Sequence, residues 1–291
     1  MTFEKAVQEY LEHRIAEGYE PRSFGRIESA WVPIFGDRQL SDIQTEEITA
    51  AANRLTRERK WRDATRTNAI HELSGLMSWA IQHRFLEGNP CALAPRKTGD
   101  RLQNTRTLVP TKAKMLSILK YLRVEPRAHD LVVFACSTGL RFGKLVTLRP
   151  ADVRTDSDDS VHVEIYDKNR KLHRAYLFGE AKEIAVRGAK ATGTYLLPGP
   201  RGGRIREKWL RPVLRFACQQ AGVKYSGRDL DGWSFHSTRR YFATNLINAG
   251  VPLEDVMAAG NWRSWAAVKR YAILGDNRKK AAFKTASKIL E

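Results

Sequence analysis

The chain has 291 residues, enough for two domains with separate cores, and its 42% hydrophobic share is ordinary for a globular protein. No apolar run reaches membrane-span length, and Cys91, Cys136 and Cys218 are too few and too scattered for a disulfide framework or a CxxC metal site, so a cytoplasmic protein with no membrane association is expected. The net charge of +18 is unevenly held: residues 1–100 carry 14 Lys+Arg against 15 Asp+Glu, leaving 36 against 17 in residues 101–291. Such a local surplus favours a polyanionic partner, nucleic acid first, over a merely solvated basic surface.

Residues 3–17 place Phe3, Val7, Tyr10, Leu11 and Ile15 at helical spacing, and Gly18 then Pro21 end the pattern. A second helix is predicted over about 22–34. The third begins at Thr45, read as an N-cap with Glu46 and Glu47 in the first turn, where the helix dipole favours acids. The fourth, about 63–86, aligns Ile70, Leu73, Met77, Ala80 and Ile81 and stops at Gly88-Asn89-Pro90. Four helices with short connections make a small helical domain, expected over 1–93. Arg54, Arg57, Arg59, Lys60, Arg62 and Arg66 cluster where the third helix gives way to the fourth. The grouping suits phosphate contacts, although a charge run is usually a solvated face.

Residues 94–110 are polar, basic and without apolar periodicity, and read as a linker to a second domain over 111–291. That domain opens with a helix aligning Met115, Ile118, Leu119 and Leu122, and the apolar run 131–135 looks buried. Strand signals are confined to Val161, Val163 and Ile165, alternating with polar residues, and to residues 172–178. The turn Asp167-Lys168-Asn169-Arg170 joins them. Helical patterns follow at about 204–221, 236–249, 252–259, 263–272 and 277–290, the last with Ala281, Phe283, Ala286 and Leu290 as an apolar stripe. The expected fold class is mainly α with a small antiparallel β-sheet: an N-terminal four-helix domain, then an α+β domain.

Three segments carry chemistry. Thr138-Gly139-Leu140-Arg141-Phe142-Gly143-Lys144-Leu145 is a turn entering a helix. His236-Ser237-Thr238-Arg239-Arg240 runs on into Tyr241-Phe242-Ala243-Thr244-Asn245-Leu246. Ala259-Gly260-Asn261-Trp262 comes third, with Tyr271 nine residues beyond the Trp. Singly each is ordinary; a Tyr on an amphipathic helix is usually core. Together their order and spacing resemble the tyrosine recombinase (phage integrase) family. Its signature is an Arg in a Gly-x-Arg turn, a His-x-x-Arg box, and a His or Trp nine residues before the nucleophilic Tyr. The resemblance falls on Arg141, on His236 with Arg239, and on Trp262 with Tyr271. The lysine of the family's β-hairpin turn corresponds to Lys168. The N-terminal helices look like the family's core-binding domain, so the likeness covers the whole chain while its specific motifs lie in the second domain.

The resemblance implies a site-specific recombinase or integrase that cleaves and rejoins double-stranded DNA through a 3′-phosphotyrosyl intermediate. It implies a monomer that assembles as a homotetramer on DNA, with accessory DNA-bending or directionality proteins, associated with the nucleoid. The residue types fit that chemistry. A phosphodiester under in-line attack develops charge on its nonbridging oxygens, and the permanently charged forks of Arg141 and Arg239 suit two of them. His236 and the indole N–H of Trp262 would each add a hydrogen bond. The Tyr271 phenol must lose its proton during attack, and by family resemblance Lys168 protonates the departing sugar oxygen. The scheme calls for no metal and no cofactor, and the sequence carries no HExxH, no CxxC pair and no nucleotide-binding loop.

The sequence departs from the family at three places. Lys144 stands where an acid usually follows the first Arg by three residues, so an expected ion pair becomes a like-charge contact. Tyr241 stands where a second His is common, and Asn261 is inserted between Gly260 and Trp262. Lys144 supports an alternative in which the scaffold binds DNA but is catalytically impaired; the retained Arg, Lys, His, Arg, Trp and Tyr set argues against it. A type IB topoisomerase is disfavoured by the separate N-terminal domain, and a helix-turn-helix regulator would have no use for the His, Trp and Tyr residues.

Overall fold

The computed structural model describes residues 1–19, 25–94, 109–166, 171–226 and 231–272. The chain divides into two compact units, Met1–Asn104 and Thr105–Glu291.

In the first unit, α1 (Phe3–Ala16) is capped by the Thr2 hydroxyl and ends where Gly18 turns to φ +84°. Phe3, Ala6, Val7 and Tyr10 form its buried face, whereas Ile15, read as part of that stripe, is 48% exposed. The second predicted helix is two short pieces: a widened π turn, Ile27–Trp31, and α2 (Val32–Phe35). The local cause is Pro33, which has no N–H to offer the carbonyl of Ser29 four residues back. The Arg59 guanidinium donates to that carbonyl at 2.6 Å instead. Trp31 is fully buried, and its indole N–H donates to the Ala69 carbonyl at 3.2 Å, joining this segment to α4 (Asp63–Gln82).

Helix α3 (Thr45–Glu58) is capped one residue earlier than its sequence suggests. Gln44 is the N-cap, its N–H donating to the Glu47 carboxylate at 3.0 Å, while the Thr45 hydroxyl donates to the Pro90 carbonyl at 2.7 Å. Ile48, Ala52 and Leu55 from α3 meet Ile70, Leu73, Leu76 and Met77 from α4 in one core with the α1 face.

The second unit is built on α6 (Pro126–Thr138), which is buried almost all round: Leu131, Val132 and Phe134 are at 0% exposure. Around it lie α5 (Lys112–Leu122), the short α7 (Phe142–Leu145), and a three-stranded antiparallel sheet in the order β1-β2-β3. The strands are β1 (Val153–Thr155), β2 (Val161–Tyr166) and β3 (Leu172–Leu177), with Val163 opposite Val153 on one side and Ala175 on the other. The sequence signals foretell β2 and β3 and miss β1, whose three residues are too few to show alternation.

Helix α8 (Gly179–Ala189), also missed, buries only Ala181, Ile184 and Ala185, a stripe too sparse to stand out. Then come α9 (Glu207–Gln220), α10 (His236–Asn248), α11 (Leu253–Ala259) and α12 (Trp265–Ala272). The last three share a small apolar cluster of their own: Ala243, Ile247, Val256, Trp262, Val268 and Tyr271. The predicted terminal stripe at 277–290 lies outside the described residues, as do most of the proposed linker and Lys168.

Candidate active site

Two motifs far apart in sequence are joined by one side chain. Helix α6 ends at Gly139, which takes φ +64°, and the chain then extends through Leu140 to Arg141, the N-cap of α7. A side chain at 139 would strain the left-handed backbone, and its Cβ would lie 2.4 Å from Cδ1 of Phe242. Keeping Gly there lets α10 come close enough for Arg239 to donate from Nη1 to the Gly139 carbonyl.

Arg239 is 2% exposed. Its guanidinium lies over the face of Trp262, with Cζ 3.8 Å from the ring centroid, a cation–π contact that supports the planar fork from one side. Trp262 in turn packs against Tyr271, ring centroids 5.7 Å apart, and stacks on Phe242 at 6.4 Å. The expectation for Trp262 concerned its N–H; what the geometry displays is its face.

The turn before Trp262 explains how an inserted residue is absorbed. Asn261 takes φ +51°, a region Asn tolerates better than most residues, and the Trp262 N–H donates to the Met257 carbonyl at 2.9 Å. Gly260 leaves room for the indole, because a Cβ there would lie 1.7 Å from Cζ3 of Trp262.

Charge adds a second view of the same cluster. Burial, and after it the positive charge of Arg141, pull the Arg239 guanidinium down to about 10, while the Tyr271 phenol acts in the opposite direction. Arg141 and Tyr271 therefore each lie within electrostatic reach of Arg239. Nη2 of Arg239 is buried and has no hydrogen-bond partner among the described residues. A buried guanidinium nitrogen left in that state fits a ligand that brings its own acceptor.

His236 opens α10 three residues ahead of Arg239 and is exposed, as is Arg141. Arg141, His236, Arg239, Trp262 and Tyr271 all belong to the second unit; Lys168 lies outside the described residues. Among the described residues no group of three or more His, Cys, Asp and Glu could hold a metal, and no helix is long and apolar enough to cross a membrane.

One neighbour was not singled out from the sequence. His173 is pushed below its ordinary pKa by burial and then by the charge of Arg239, and its Nε2 is buried without a partner. Its register with Ala175 and Leu177 on the inner face of β3 was the available signal. Lys144, expected to crowd Arg141, instead donates its ammonium to the Tyr166 carbonyl at 2.6 Å.

The basic group of the first unit divides. Arg54, Arg57, Arg59, Lys60 and Arg62 are exposed at the end of α3 and the start of α4. Arg66 is 3% exposed and donates to Asn53 at 3.2 Å, so in this structure it joins α4 to α3 and is not on the surface, contrary to its sequence reading as a phosphate contact.

This fold has counterparts among solved structures. Lambda integrase(75-356), solved as a dimer bound to a COC′ core site, superposes with a TM-score of 0.73 at 19% identity, covering 94% of this chain and 95% of that one. The lambda integrase tetramer bound to a Holliday junction gives 0.71 at 18% identity, covering 93% and 77%. The integrase of Salmonella phage P22 is 23% identical over 95% of this chain and 77% of its own length. That of Mycobacterium phage L5 is 20% identical over 99% and 80%. The phage integrase family matches residues 111–278 and the phage integrase central domain matches residues 3–96. The chain belongs to the phage integrase family and is a site-specific tyrosine recombinase.

Proposed function

We propose that Tyr271 attacks a DNA phosphodiester held by Arg141, Arg239 and His236, leaving the 3′ phosphate on the enzyme. The observation that carries this reading is the buried Nη2 of Arg239, without a hydrogen-bond partner among the described residues, on a guanidinium that lies over the Trp262 face, donates from Nη1 to the Gly139 carbonyl and feels the charge of Tyr271.

In this scheme the Tyr271 oxygen forms a bond to phosphorus and its proton is released to solvent. The bond from phosphorus to the 5′ oxygen breaks, and Lys168 supplies the proton that makes the leaving oxygen a hydroxyl. The two guanidinium groups meet the charge that grows on the nonbridging oxygens. Trp262 holds Arg239 by its face, its backbone N–H is taken by Met257, and its indole N–H is the donor this scheme assigns to the same phosphate. Rejoining reverses the step: the 5′ hydroxyl attacks the phosphotyrosine, Lys168 recovers its proton and Tyr271 leaves. The bond energy is conserved in the phosphotyrosine, so no nucleotide is consumed.

Double-stranded DNA is the substrate in this reading, engaged by four copies of the chain, as the DNA-bound lambda integrase assemblies suggest. Lys208, Arg211 and Arg215 around Pro212 on α9 line a shallow depression of about 290 Å³ and add cationic surface to the second unit. The exposed Arg and Lys side chains at the end of α3 offer further phosphate contacts in the first.

The test is adduct trapping on nicked duplexes cut from DNA flanking the gene. Wild type is expected to give a denaturation-resistant protein–DNA adduct, and Tyr271→Phe to bind with almost unchanged affinity and give none. Adduct persisting in Tyr271→Phe would refute Tyr271 as the nucleophile.

A further inference from the structure

We infer that Lys144 is a positioning residue that fixes the end of β2 against the helix beginning at Arg141. The inference rests on the phosphotyrosine reading above, because it gives a place in that chemistry to the turn that follows β2.

The geometry is specific. Lys144 Nζ donates to the Tyr166 carbonyl at 2.6 Å, a charge-assisted bond reaching across 22 residues of sequence. Tyr166 is the last residue of β2, and its register partner Leu172 is the first of β3, so this carbonyl sits at the final rung of the pair, just before Asp167 and Lys168 in sequence. At the other end, the Lys144 N–H donates to the Arg141 carbonyl at 2.9 Å within the short α7 segment. One residue thus links the backbone carrying a clamp arginine to the backbone entering the turn that contains Lys168.

Electrostatics explains why a lysine suits this place and a carboxylate does not. Arg141 three residues back repels the Lys144 ammonium, and a carbonyl oxygen is the acceptor it reaches. A carboxylate at 144 would face the same oxygen with no proton to donate. The departure from the acid common at this position therefore comes with a matching partner in this chain.

The test uses wild type, Lys144→Met, Lys144→Arg and Lys144→Glu on two forms of one nicked duplex. One form carries the natural phosphodiester at the cleavage position; the other has sulfur in place of the bridging 5′ oxygen. A thiolate departs without needing a proton, so a defect in proton delivery is bypassed. Lys144→Met is expected to form adduct roughly tenfold more slowly than wild type on the phosphodiester, a barrier change of about 1.4 kcal/mol. On the sulfur form it should fall within about twofold of wild type. Lys144→Arg should recover most of the loss, and Lys144→Glu should be slower than Lys144→Met. Melting temperature, measured alongside, should stay at the wild-type value because Lys144 is exposed, and DNA affinity should stay at the wild-type value in the charge-conserving Lys144→Arg.

Equal slowing on both substrates, or none on either, overturns the positioning role. So does a Lys144→Glu variant faster than wild type. If wild type gives no adduct from either duplex, the phosphotyrosine reading itself falls and takes this inference with it, an outcome recognisable without any variant.

Discussion

At the scale of single residues, Arg239 holds the site together. It accepts the support of an indole face, donates to the end of α6, and keeps one buried nitrogen for an acceptor that the described residues do not provide. Lysine is a poor substitute: its ammonium is a point charge on a flexible stem and cannot keep a planar fork on Trp262 while reaching two oxygens. Arg239→Lys is expected to lower the rate of adduct formation by about 100-fold or more, the scale of losing one well-aimed donor to a developing oxyanion. Affinity for an uncleavable duplex should change far less, since many phosphate contacts share it. A rate within a few-fold of wild type would mean that Arg239 is structural. Four of the six residues named in the sequence, Arg141, Arg239, Trp262 and Tyr271, are brought near one another through Arg239, by direct contact or by its electrostatics. His173 shares the inner face of β3 with Ala175 and Leu177, but that alternation gives no hint that the charge of Arg239 reaches it.

At the scale of elements, glycines set how closely helices approach. Gly139 lets α10 lie against the end of α6, and its carbonyl becomes available to Arg239 only because Phe242 fits where a side chain would stand. Gly139→Ala combines a left-handed backbone penalty of about 1 kcal/mol with overpacking of about 1–3 kcal/mol. A melting temperature lower by roughly 5–10 °C is therefore expected in thermal unfolding. A variant melting within a degree of wild type would show that Phe242 swings aside without cost.

The helices with apolar stripes, α1, α3, α4 and α9, could be read from periodicity within a few residues. Three features could not be. Pro33 widens a turn that its apolar neighbours advertise as ordinary helix, β1 is shorter than a period-two pattern needs, and the cap of α3 falls on Gln44 because Thr45 is drawn away to Pro90. Each depends on a partner distant in sequence or on too few residues to show a pattern.

At the scale of the whole chain, the charge asymmetry follows the division into units, with the positive surplus in the part that carries the proposed chemistry. Within that second unit the apolar interior is itself divided. Among the described residues, thirty buried ones centred on α5, α6, α8, α9 and the sheet, with their connecting segments, make the main cluster, whereas six from α10, α11, α12 and the turn at Trp262 make the one containing Trp262 and Tyr271. Opening free energy scales with the apolar contact an element must break, so these clusters represent separate steps on a ladder of partial unfolding. In hydrogen–deuterium exchange of the protein without DNA, amides of residues 253–272 are expected to exchange well before those of residues 128–138. Simultaneous exchange would mean a single cooperative unit. A tyrosine anchored in the smaller cluster can change its surroundings without melting the larger one, so the proposed nucleophile can be withheld or presented while α6, α7 and the sheet stay folded.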